Sequence, residues 1–143
     1  MEIKNLWPDF DDAFEIVTPK EILEQQSKFL PKQTGDLVYA DIQEISEGEL
    51  SQYDESLQLD FAFKYILKSK FIDKYKFEVF TFYHDISIYP VKIKLDFDIA
   101  REIGRSVKTL NISDEDAFNL LIEEVFSSKR LRLIVGSMMK LAK

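Results

Sequence analysis

The sequence predicts an α+β fold: a mostly antiparallel four-stranded sheet with an N-terminal helix and a C-terminal helical hairpin packed on it. Three observations carry that prediction. Runs in which apolar and polar residues alternate crowd the middle of the chain, between Gly35 and Leu95. A helix-start signature, "TPKE", precedes them, and two segments of helical period separated by "SSKR" follow. The 143 residues show no break in composition, and 12 Phe and 6 Tyr supply ample material for burial. One domain spanning residues 1–143 is therefore expected.

The elements follow in chain order. The stretch "LWPDFDDAFEIV" mixes aromatic and acidic residues without a period and is expected to be extended. In "TPKE", Thr18 can cap, Pro19 suits the first helical position and Glu21 completes a capping box. A helix over about 19–30 follows, with Ile22, Leu23, Gln26, Phe29 and Leu30 as its inward stripe and Pro31 and Gly35 marking its exit. "DLVYADIQEIS" reads as a strand with Val38, Ala40 and Ile42 on one face and Leu37 and Tyr39 on the other. In "SLQLDFAFKYILK" the residues Leu57, Leu59, Phe61, Phe63, Tyr65 and Leu67 share a face.

The next strand, "YKFEVFTFYH", places Phe77, Val79, Thr81 and Tyr83 on that inner face and Phe80, Phe82 and His84 on its reverse, which is expected to be partly covered there. "IYPVKIKL" returns with Val91, Ile93 and Leu95 inward, and Pro90, lacking an N–H, suits a strand start or an edge. A short helix from Asp98 ends at Gly104, and "SVKTLNI" is extended. Ser113 caps the first helix of the hairpin, with three acids at its positive end. Leu131, Ile134, Val135, Met138 and Leu141 mark the second.

Composition excludes several functions. With no cysteine, disulfides, thiolate nucleophiles and cysteine-bound metals are ruled out. No apolar run approaches the ~20 residues of a membrane span, and the opening residues lack the pattern of a secretory signal, so a cytoplasmic protein is expected. Charge is divided unevenly: residues 1–62 carry 4 Lys against 15 acids, net −11, and residues 63–143 carry 15 basic against 11 acidic residues, net +4. Residues 41–60 hold seven acids and no basic residue, a surface that repels nucleic acid and attracts cations.

Catalytic patterns are thin. His84, the one histidine, lies beside Asp85, but neighbours on a strand point to opposite faces, so a structural or turn-capping role is expected. Asp9, Asp11 and Asp12, and Asp96 with Asp98, offer oxygens without a calcium-hand loop, and in each cluster the second acid reads as a cap. Four scattered glycines make no phosphate loop. Lysines 64, 68, 70, 74 and 76 interleave with Phe61, Phe63, Tyr65, Phe71, Tyr75 and Phe77, but the alternation that sends the lysines outward sends most of the rings into the core, which disfavours nucleic acid.

The expected function is a non-catalytic protein–protein interaction module, of inhibitor, immunity or adaptor type. It would meet a basic protein partner through an acidic surface formed by Glu44, Glu47, Glu49, Asp54 and Glu55. The alternative is a small hydrolase or metal-dependent enzyme using His84 with Asp85, Asp96 or Asp98. Single-stranded nucleic-acid binding through the lysine-rich strands ranks third. No catalytic residue, cofactor, metal or oligomeric state is assigned.

Overall fold

Alternating side chains in the middle of the chain pair into a single antiparallel meander. The computed structural model describes residues 2–46, 61–72 and 74–142. Among these, β1 (Val38–Glu44), β2 (Phe61–Ser69), β3 (Lys76–His84), β4 (Val91–Leu95) and β5 (Leu110–Ile112) lie side by side in chain order. The fold class is as expected, with a fifth strand where four were predicted: "LNI" pairs with β4, Val91 opposite Ile112 and Ile93 opposite Leu110. Leu57, Leu59 and the acidic stretch 47–60 lie outside the described residues.

One face of the sheet takes the helices. These are α1 (Pro19–Ser27), α2 (Phe29–Gln33), α3 (Phe97–Ile103), α4 (Glu115–Phe126) and α5 (Lys129–Leu141). Ile22 and Leu23 of α1, Ile99 and Ala100 of α3, Phe118, Leu121, Ile122 and Val125 of α4, and Leu131 and Met138 of α5 meet Phe63, Tyr65, Leu67, Phe80, Phe82, Val91, Ile93 and Leu95 in one continuous core. None of the described helices is long and apolar enough to cross a membrane.

The strand β3 corrects the expected facing. Tyr65 pairs with Phe80, Ile66 with Glu78 and Leu67 with Phe77, so two residues of β3 oppose one of β2 and Val79 is the extra one. This bulge moves the inner face from odd to even positions. Phe77 points inward before it, and Phe80, Phe82 and His84 point inward after it, instead of onto the reverse face. Thr81 and Tyr83 are buried on that reverse face with Ala62 and Ile66. The realignment stacks rings across the two strands: Phe63 on Phe82 and Tyr65 on Phe80, each with centroids 5.2 Å apart. Offset stacking of this kind adds about 0.5 to 1.5 kcal/mol per pair beyond area burial.

Helix boundaries follow local chemistry. Thr18 accepts from the Glu21 N–H at 3.1 Å and donates its hydroxyl to the Glu21 carboxylate at 3.2 Å, so Glu21 meets the cap through its side chain and not through the backbone N–H that the expected capping box uses. The predicted 19–30 helix breaks at Lys28, and Pro31 falls in the first turn of α2, where its missing N–H costs nothing. Asp96 and Asp114, rather than Asp98 and Ser113, cap α3 and α4, accepting from Ile99 and Ala117. Gly104 ends α3 at φ 75°, a left-handed position where glycine carries no Cβ penalty. The N-terminal stretch is not wholly extended, since Asp11–Glu15 turn as a short 3-10 helix.

Truncation of the ring ladder should track burial. Phe63→Ala and Phe82→Ala are each expected to lower stability by about 3 to 5 kcal/mol. Phe61→Ala, at a position 40% exposed, should cost roughly half as much or less. Denaturant midpoints of the three variants, with unchanged slopes, test this ordering.

Candidate functional site

At the end of β3, His84 sits opposite Phe61 and is 8% exposed. Its ring lies 5.3 Å from the Phe61 ring, and Nδ1 stands 2.8 Å from the Asp85 carbonyl oxygen, so Nδ1–H donates there. The Asp85 carboxylate turns the other way and accepts from the Ser87 N–H at 2.8 Å and from the Ser87 hydroxyl. Those two bonds lower the Asp85 pKa. Adjacent in sequence, the two side chains thus serve separate local bonds.

Asp96 and Asp98 lie at the far end of β3. The Asp96 N–H donates to the Val79 carbonyl at 2.9 Å, five residues before His84 and so about 16 Å from it along the strand. Their own partner is Arg130, whose Nε is 3.9 Å from Asp96 and whose Nη2 is 3.7 Å from Asp98, with the guanidinium 5.5 Å from the Phe77 ring centroid. His84 is not brought to either acid. Asp9 accepts from the Asp11 N–H at 3.1 Å, an ordinary turn cap. Among the described residues no three His, Asp or Glu converge as a metal cluster would.

Of the expected acidic surface, Glu44 is exposed at the end of β1, opposite Phe63. Glu47, Glu49, Asp54 and Glu55 lie outside the described residues. Lys20 of α1 stands over the same Phe63, its Nζ 5.6 Å from the ring, and the Tyr89 hydroxyl donates to the Val17 carbonyl at 3.0 Å. The end of β1 and the root of residues 2–16 therefore share one end of the sheet. Residues 2–16 carry five acids and one lysine. They also hold Ile3, Leu6, Trp7 and Phe10 in solvent, with Trp7 76% exposed. The Trp7 and Phe10 rings lie 6.2 Å apart, and exposed apolar groups set together are a feature of interaction surfaces.

A second feature escaped the sequence. Between α1–α2 and α5 runs a groove of about 780 Å³, floored by Tyr65 and Leu67 of β2. Gln26, Phe29 and Gln33 form one wall, and Arg132, Val135 and Met139 the other. Gln26 and Phe29, expected to face the core, are exposed here. The Tyr65 ring stacks on Phe126 and its hydroxyl meets Ser27 at 2.9 Å, which fixes the floor to α4 and α1; burial raises the Tyr65 pKa. The α5 wall is anchored at its start by Glu102 of α3, which accepts from the N–H groups of Lys129 and Arg130 at 2.6 and 2.9 Å.

Comparison with protein-family models, curated proteins and solved structures returned no match.

His84→Gln should cost about 1 to 2 kcal/mol, the loss of one buried hydrogen bond and one ring stack, and leave partner binding within a few-fold. A binding loss of ~10²-fold would place His84 in the working surface instead. Burial, then the nearby Glu115, Asp114 and Glu21, raise the Tyr89 pKa to about 12 from 10.0. A raised phenol favours the folded state while protonated, so its contribution is complete below about pH 10 and lost as pH rises toward 12. Wild type should therefore lose more stability than Tyr89→Phe between pH 9 and 11, measured by denaturant midpoints.

Proposed function

We propose that this chain is a non-catalytic protein–protein interaction module, of inhibitor, immunity or adaptor type, that meets a basic partner through acidic surface. The supporting observation is where the exposed apolar side chains stand. Ile3, Leu6, Trp7 and Phe10 are interleaved with Glu2, Asp9, Asp11 and Asp12, on a segment rooted at the same end of the sheet as Glu44. Acids steer an encounter and rings seal it. Among the described residues this surface runs from Glu44 to residues 2–16.

The enzyme reading has no comparable support, because His84 and the acids Asp96 and Asp98 stand apart. One observation favours a nucleic-acid reading: Phe71 and Tyr75 are exposed at the β2–β3 turn beside Lys70, Lys74 and Lys76. Lys68 is already held by Asp41 at 2.7 Å, and that bond, with a second from Gln43, lowers the Asp41 pKa. That pair takes Lys68 out of the set available to a phosphate backbone.

Replacing Glu44, Glu47, Glu49, Asp54 and Glu55 together by Gln or Asn should slow association with a captured basic partner by roughly tenfold at low salt, and much less at high salt. Trp7→Ala should instead speed dissociation. Association rates indifferent to both the substitutions and salt would remove the proposal. Loss of oligonucleotide binding in Phe71→Ala, with partner binding intact, would favour the nucleic-acid reading.

A further inference from the structure

The groove and the N-terminal segment are complementary. Residues 127–142, which build the α5 wall, carry Lys129, Arg130, Arg132 and Lys140 and no acid; residues 28–35, which build the α2 side, carry Lys28 and Lys32 and no acid. Among the residues that line the groove Arg132 is the one charge and no acid occurs, so it is apolar at its floor with a cation on the α5 wall. Residues 2–16 are the inverse, net −4 with exposed Leu6, Trp7 and Phe10. In its own chain that segment is rooted at the start of α1, whereas the groove wall begins at Gln26 near its end. The two are offset by most of the ~13 Å length of α1.

We propose that the groove between α1–α2 and α5 is the docking site for residues 2–16 of a second copy of this chain. This inference rests on the reading of those residues as a binding segment and names one partner for them. Leu6, Trp7 and Phe10 fill the groove over Tyr65 and Leu67, and the flanking acids meet Arg132. A cavity of about 780 Å³ lies in the range that encloses several large side chains. Exchange between two copies is reciprocal, so each dimer contains the contact twice and closes with two-fold symmetry. The pairing holds the N-terminal segment out of reach of any other basic partner until that partner competes it away.

Gly136 provides a clean test. It lies on the groove wall, and a Cβ built there meets no atom within 4 Å. Gly136→Glu thus sets a carboxylate into the groove without crowding the core, and replacing a helical glycine favours the fold. Trp7 is the single tryptophan, so its emission reports docking directly.

Sedimentation equilibrium and Trp7 emission would be followed across a concentration series of the whole chain. The expected result is a concentration-dependent dimer with blue-shifted Trp7, weakened by salt and weakened roughly tenfold or more by either Trp7→Ala or Gly136→Glu, while Gly136→Ala stays dimeric. Mixing Trp7→Ala with Gly136→Glu chains should restore one of the two contacts. A wild-type chain that stays monomeric with solvent-exposed Trp7 overturns the proposal, as does a monomer whose Trp7 is already blue-shifted, or a dimer indifferent to both variants. A monomer that still captures a basic partner through residues 2–16 sinks self-docking and leaves the proposed function standing. A dimer without such a partner sinks the proposed function and leaves the docking.

Discussion

The molecule depends on one extra residue in β3. Val79, opposed with Glu78 to a single residue of β2, lets Phe77 face the core on one side of the bulge and Phe80 and Phe82 on the other. Without it, strict alternation would carry either Phe77 or the Phe80–Phe82 pair out of the core. With it, Phe63, Tyr65, Phe80 and Phe82 close into a ladder within the core to which each of α1 to α5 contributes. Tyr65 is the branching point, joined to α1 through Ser27 and to α4 through Phe126. The groove floor is this same ring.

Much of that arrangement was legible because alternation is a strong signal in half-buried strands. Phe63, Tyr65 and Leu67, and Val91, Ile93 and Leu95, could be assigned to the core face from their spacing alone. The bulge could not, since the residues around Val79 include neither Gly nor Pro, and a shifted period reads as a strand apolar on both faces. The fifth strand fell below the length at which alternation can be counted. Capping chemistry gave helix starts to within a residue or two; neighbouring acids compete for the same role, and Asp96 wins over Asp98 because its oxygen reaches the third amide along.

Site features divided along a different line. Around His84 alternation stops short of the answer, since β3 ends there and it is the two bonds from Ser87 that hold the Asp85 carboxylate away. The groove was not legible, since its walls come from residues about 100 positions apart in the chain and no local period records a space between two helices. A faint trace existed in Gly136, an odd choice within a helix otherwise rich in Leu, Val and Met. The exposed rings of residues 2–16 were visible as composition; their place in solvent is a property of the fold.

The bond from Glu102 to the first turn of α5 has a mechanical side. It satisfies two amides that the helix itself cannot, while Leu141 at the other end is half exposed. Met138, near that other end, is buried in the core, so α5 is tied to the fold at both ends, by hydrogen bonds at Lys129 and by apolar packing at Met138.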